Sequence, residues 1–173
     1  YVNFNQKFGF INKPIFQSSL IELFDQDKLE SNFVVNSSSQ TVDGLCVLVV
    51  EDNEINQLVA KKIIESKKAI VEIANNGQEA IQIFNDKGNN YFDLILMDYK
   101  MPIINGIEAT KIIRKSSLSY SNNIKIYAMT ANTTREDVSD CLLAGMDGHI
   151  SKPIDVKLLM QILIDIYNKK SKK

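Results

Sequence analysis

The sequence predicts an α/β fold: a doubly wound sheet of five parallel strands with helices on both faces. Three features point to it. From Gly44 onward, short aliphatic runs alternate with longer amphipathic ones, the pattern of repeated strand–helix units. The run Asp93-Leu94-Ile95-Leu96-Met97-Asp98 is apolar at consecutive positions, as a strand covered on both faces must be. Polar residues also stand where successive strands end, the edge at which open parallel sheets gather their chemistry.

Strands are expected at Leu45 to Val50, Ala69 to Ala74, Phe92 to Met97, Ile124 to Met129 and His149 to Ser151. The first helix, near Asn53 to Ser66, carries Ile55, Leu58, Val59 and Ile63 on one face, with Lys61, Lys62 and Glu65 largely opposite. Asn76, with Glu79 three residues on, reads as a cap and its reciprocal partner, opening a helix through Phe84. After Pro102, Gly106 starts a third amphipathic helix. Thr134 with Asp137 repeats the capping device, and that helix stops at Ala144-Gly145. Asp155 caps the last helix, whose stripe is Leu158, Leu159, Ile162, Leu163 and Ile166. Five such units favour the flavodoxin-like strand order 2-1-3-4-5.

At 173 residues the chain has room for one full domain and a shorter appendage. Its net charge of −1 argues against an extensive nucleic-acid surface, and Lys169, Lys170, Lys172 and Lys173 read as a solvated basic tail. No run is long enough to cross a bilayer and no secretory pattern opens the chain, so a cytoplasmic setting without direct membrane contact is expected. Cys46 and Cys141 lack metal-ligand spacing and read as buried reduced thiols. A single histidine excludes a His-rich metal site.

Residues 1–43 do not make another complete unit. Gly9-Phe10-Ile11-Asn12-Lys13-Pro14-Ile15 echoes Gly148-His149-Ile150-Ser151-Lys152-Pro153-Ile154, with Leu20 and Leu23 opposite Leu159 and Ile162. Residues 1–35 are therefore expected to be the end of a preceding domain of the same type. Residues 36–44 would be a linker, 45–168 the main domain and 169–173 the tail.

The strand ends carry Glu51-Asp52, Asp98, Thr130 and Lys152-Pro153. In a parallel sheet these converge on one shallow site. Crowded carboxylates raise one another's pKa unless a cation is present. Mg2+, with Mn2+ as a substitute, suits them, because it takes one or two carboxylates, keeps several waters and accepts phosphate oxygens. Lys152 adds a mobile positive charge and Thr130 a short hydroxyl donor. A carboxylate ionised at neutral pH needs no general base, so transfer of a phosphoryl group onto Asp98 is the chemistry this set suits.

Several motifs in order, Val49-Val50-Glu51-Asp52-Asn53, Asp93 through Pro102 with Gly106, Met129-Thr130-Ala131 and Ser151-Lys152-Pro153, resemble the receiver domain of two-component response regulators. The form is that found at the C-terminus of hybrid sensor histidine kinases, and the resemblance covers about Leu45 to Tyr167. It implies that Asp98 is the phosphoacceptor. Asp52, Asp98 and the Lys100 main-chain carbonyl would hold the metal, with Glu51 acting through a water. Thr130 and Lys152 would carry the switch and charge-neutralising roles. His149 stands where the family often has a switching aromatic ring, and a cis bond is implied before Pro153. Tyr99 and Asn105 depart from the family's usual aliphatic residue and Asp.

The implied partners are a sensor histidine kinase domain, in the same polypeptide, and a histidine phosphotransfer protein docking near Asn53, Ile55 and Asn56. No DNA partner is expected, and the chain is not itself a kinase. Three further readings compete. A magnesium-dependent phosphatase with an Asp nucleophile, of the haloacid-dehalogenase type, carries a second acid two residues on, where this chain has Lys100. A phosphorylation-independent interaction module is disfavoured because no reactive position is missing. A flavodoxin-like cofactor site fails because Glu51-Asp52 would repel a bare phosphate.

Overall fold

The computed structural model describes residues 40–131 and 134–171. Among them the order is β1 (Cys46–Val50), α1 (Glu54–Glu65), β2 (Ile70–Ala74), α2 (Gly77–Lys87), β3 (Leu94–Asp98), α3 (Gly106–Arg114), β4 (Lys125–Thr130), α4 (Arg135–Leu143), β5 (Gly148–Ser151) and α5 (Val156–Lys170). Every neighbouring pair of strands is parallel, and the order across the sheet is β2-β1-β3-β4-β5. The strand order read from the sequence is the one observed. The expected remnant at residues 1–35, residues 36–39 of the expected linker, and Lys172 and Lys173 lie outside the described residues.

Period-two alternation in β1 and β3 builds two cores. Leu48, Val50, Ile95 and Met97 face Ala80 and Phe84 of α2, Ala109 and Ile113 of α3, and Cys141 of α4. Val47, Val49, Leu94 and Leu96 face Ala60 and Ile64 of α1 and Leu159 and Leu163 of α5. Each fully buried aliphatic or aromatic side chain stabilises the fold by roughly 1.5–3 kcal/mol. That two-sided burial is why the central strands are unbroken aliphatic runs.

Caps fix where the helices begin. The Asn53 Oδ1 accepts from the Ile55 and Asn56 amides, Asn105 Oδ1 from Glu108 N, Thr134 Oγ1 from Asp137 N, and Asp155 Oδ1 from the Lys157 and Leu158 amides. Each such cap contributes about 1 kcal/mol. Asn105 shows why an amide serves where the family often has Asp: one acceptor oxygen is all the cap requires. At α2 the reciprocal partner differs from expectation. Asn76 Oδ1 accepts from Glu79 N, but the Glu79 carboxylate turns to Asn75, accepting from its backbone N at 2.8 Å and its Nδ2 at 2.9 Å.

Other differences concern helical phase and boundaries. The inward face of α1 is Ala60 and Ile64, while Leu58 is 49% exposed. In α5, Met160 is buried and Leu158 is exposed. The compact unit begins at Gln40 rather than Leu45. Val42 is 0% exposed within the core under α1 and α5, and its amide donates to Lys67 O. Gln40 Nε2 donates to Asn168 Oδ1, and Lys170 Nζ donates to Gly44 O and, at 2.7 Å, to Asp93 Oδ2. Residues 40–44 are thus a strap against the last helix, and Lys170 belongs to that helix rather than to a tail.

A Val42→Ala protein is accordingly expected to lose roughly 2 kcal/mol, read as a lower urea midpoint at unchanged slope. A loss below about 0.5 kcal/mol, the scale of a surface substitution, would show the strap to be peripheral.

Candidate functional site

The register brings the strand ends level. Val50 pairs with Met97, Asp98 with Met129, and Thr130 with Ser151. Glu51, one residue past β1, and Lys152, one past β5, therefore share an edge with Asp98 and Thr130. Lys152 Nζ lies 2.6 Å from Glu51 Oε2 and 2.8 Å from Asp98 Oδ2. A ligand oxygen from each of Glu51, Asp52 and Asp98 falls within 4.8 Å of the others. Glu51 is 1% and Asp98 6% exposed, whereas Asp52 is open to solvent.

Electrostatics follow from that geometry. Burial pushes the Asp98 carboxyl above its ordinary range; Lys152 opposes the rise and the Glu51 charge adds to it. For Lys152, burial alone would lower the pKa, but its pairing with Asp98 and Glu51 outweighs burial and holds the ammonium above its usual value. Three carboxylates against one ammonium leave an excess of negative charge lined with hard oxygen donors. That donor set fits a small divalent cation.

The remaining residues singled out from the sequence are placed as follows. Lys100 N is 3.4 Å from Asp98 Oδ1, in the turn after β3. Thr130 is buried at the end of β4, and its carbonyl accepts from Lys152 N at 2.8 Å. His149 is half-buried in β5, in register with Ala128. The Lys152–Pro153 peptide is cis. Tyr99 is half-buried beside α4; burial first, then the carboxylates of Asp137 and Asp140, raise its phenol pKa. Asn53 caps α1, Ile55 is half-buried on its first turn, and Asn56 Nδ2 donates to Glu51 Oε1 at 2.9 Å.

Two features of this edge escaped the sequence reading. Gln57 Nε2 donates to Glu51 O at 2.7 Å and to Asn75 Oδ1 at 2.9 Å, tying α1 to the end of β2. An amide-bearing residue one turn into the helix after an acidic strand end was the available signal. Ile103 is the centre of a γ-turn, with φ 71° and Ile104 N donating to Pro102 O at 2.9 Å. It is also 72% exposed. A β-branched residue in that conformation is strained, and sequence offers no sign of it.

Comparison with known proteins agrees with this arrangement. The response regulator receiver domain family matches residues 47–164. The chain belongs to that family. Hybrid signal transduction histidine kinase I of Dictyostelium discoideum is 34% identical over 148 residues, covering 84% of this chain and 8% of that protein. Histidine kinase 5 of Arabidopsis thaliana is 36% identical over 141 residues, covering 68% and 15%. The chain thus spans only a small part of the relatives it matches. Among solved structures, the receiver domain of sensor histidine kinase PA1611 from Pseudomonas aeruginosa, with a magnesium ion coordinated in the active site cleft, aligns with TM-score 0.64 and 32% identity, covering 72% of this chain and 98% of that one. A co-crystal structure of the Saccharomyces cerevisiae histidine phosphotransfer protein Ypd1 and the receiver domain of the response regulator Ssk1 aligns with TM-score 0.65 and 29% identity, covering 74% and 92%.

Proposed function

We propose that the domain is a phosphorelay module that accepts a phosphoryl group from phosphohistidine onto Asp98, and passes it to a histidine phosphotransfer protein or holds it as a signal. The carrying observation is Lys152 Nζ bridging Glu51 and Asp98 within an acidic cluster at the carboxyl edge of the sheet. An Asp98 oxygen forms the new P–O bond as the donor's P–N bond breaks and the imidazole leaves. Lys152 is placed to follow a phosphoryl oxygen without leaving the pocket, and the Thr130 hydroxyl to donate to another. Asp52, Asp98 and the Lys100 carbonyl, with Glu51 through a water, would hold Mg2+, which when bound neutralises charge on the transferring group. The lysine at position 100 argues against the phosphatase reading, since no second acid follows the nucleophile there.

The relatives support a sensor histidine kinase as the upstream partner, in the same polypeptide. The yeast complex supports a histidine phosphotransfer protein as the docking partner. Ile55, on the α1 turn beside the acidic cluster, is the apolar contact we assign to it. Transfer from a phosphorylated histidine phosphotransfer protein tests both points. The wild type should take up the label, and Ile55→Asp should slow uptake roughly tenfold or more while phosphorylation by a small donor stays near normal. Equal loss with both donors would indicate misfolding, and a wild type labelled only by the small donor would contradict a relay.

The conformational output we assign runs from Asp98 through Thr130 to His149. Drawing the Thr130 hydroxyl toward an acyl phosphate would open space behind β4 for the His149 ring. On adding beryllofluoride with Mg2+, amide shifts should extend from Asp98 to Thr130, Thr134 and His149, and Thr130→Ala should confine them to the acidic pocket. An unmoved His149 in the wild type would leave a phosphate carrier without this switch.

A further inference from the structure

Glu51 is nearly fully buried, yet its carboxylate has only two charged or polar partners at its oxygens among the described residues. Lys152 Nζ lies at Oε2 and Asn56 Nδ2 donates to Oε1. The lysine is shared with Asp98, so it cannot by itself fix the orientation of Glu51. Asn56 can, because its own position is set twice. Its amide is held by the Asn53 cap at 3.1 Å, and the next residue, Gln57, grips the Glu51 carbonyl. The first turn of α1 thus holds Glu51 at both its side chain and its main chain.

From this geometry we infer that Asn56 is a positioning residue for the metal site. It fixes the Glu51 carboxylate so that one oxygen serves the pocket and Lys152 stays divided between Glu51 and Asp98. This deepens the receiver reading and rests on it. Without the Asn56 donor, Oε1 is a buried anionic oxygen lacking a partner, which is costly. The carboxylate would then rotate toward Lys152, drawing the ammonium away from Asp98 and turning its own oxygen from the cation. Groups that hold metal-site carboxylates in place typically govern affinity by 10–100-fold. Asn56 also neighbours Ile55, so a partner gripping this turn sits one hydrogen bond away from the metal-site carboxylate.

Calorimetric titration of Mg2+ into the metal-free chain tests the inference without any phosphotransfer. Asn56→Leu, similar in bulk but without a donor, should weaken Mg2+ binding roughly tenfold, with far-UV circular dichroism unchanged. Leu58→Ala, on the exposed face of the same helix, should bind as the wild type does. If Asn56→Leu does not fold, Asn56→Ala, which leaves room for a water, should show the same loss. An Asn56 variant that folds and binds Mg2+ as tightly as the wild type overturns the positioning role and leaves the receiver reading standing. A wild type that binds no Mg2+ overturns both.

Discussion

Replacing Asp98 with Asn is expected to abolish phosphorylation and, at the same time, to make the metal-free protein more stable. The first effect is loss of the anionic nucleophile in a side chain of the same shape. The second follows from the electrostatics of the pocket. Asp98 holds its proton more tightly in the folded chain than in the unfolded one, through burial first and the Glu51 charge, with Lys152 in opposition. A carboxyl shifted upward contributes its stability below the unfolded pKa and loses it as pH rises through the folded pKa. At neutral pH the ionised group is therefore a net burden. Asn removes that burden and leaves Lys152 its 2.6 Å pairing with Glu51.

The expected gain is on the order of 1 kcal/mol, the usual scale of a single substitution. It should shrink as pH falls from 7 toward roughly 4, the ordinary aspartate range. Mg2+ at ten times its Kd should restore about 1.4 kcal/mol to the wild type and much less to Asp98→Asn. Chemical denaturation across pH, with and without Mg2+, reads all of these. An Asp98→Asn protein less stable than the metal-free wild type would contradict the crowding of carboxylates.

The largest loss of stability is expected from Gly106→Ala. A Cβ on Gly106 would overlap the Asp98 carbonyl oxygen and press on Met97 Cγ at 3.0 Å. The obstacle is backbone, so no rotamer relieves it, and either the end of β3 or the start of α3 must move. A cost of about 3 kcal/mol or more is expected, together with loss of phosphorylation as Asp98 shifts. Gly88→Ala is the informative contrast. Gly88 has φ +76° and ψ −165°, a region essentially reserved for glycine, and nothing within 4 Å of an added Cβ, so its cost is conformational alone, about 1–3 kcal/mol. Urea unfolding of the two variants separates steric from conformational cost. Equal losses would mean that the turn after Asp98 is free to open.

Asp98 stood out in the sequence because β3 is buried on both faces and its aliphatic run ends abruptly in a carboxylate. The sheet order followed from the number and spacing of such runs. Less legible was anything decided by tertiary contact. Ala60 anchors α1 inward but carries too little apolar surface to reveal the helical phase, and Leu58 misled by carrying more. Val42 looked like linker because a single valine in a polar stretch has no periodicity. Its burial depends on the turn after α1 and on the far end of α5. Lys170 looked like tail for the same reason, since Asp93 is 77 residues away in sequence. Asn56 was legible as a polar residue beside the expected docking contact Ile55, but not as a partner of Glu51, because that link exists only once β1 hands the chain to α1.

Intact-mass measurement of the wild type after incubation with a small phosphodonor, with Mg2+ or with a chelator, tests the proposed chemistry most directly. Peptide mapping after reductive trapping of the acyl phosphate locates the group. The expected result is one phosphoryl group per chain, on Asp98, formed with Mg2+ and not with the chelator. A phosphoryl group on another residue, equal incorporation with the chelator, or none with Mg2+ present would contradict it.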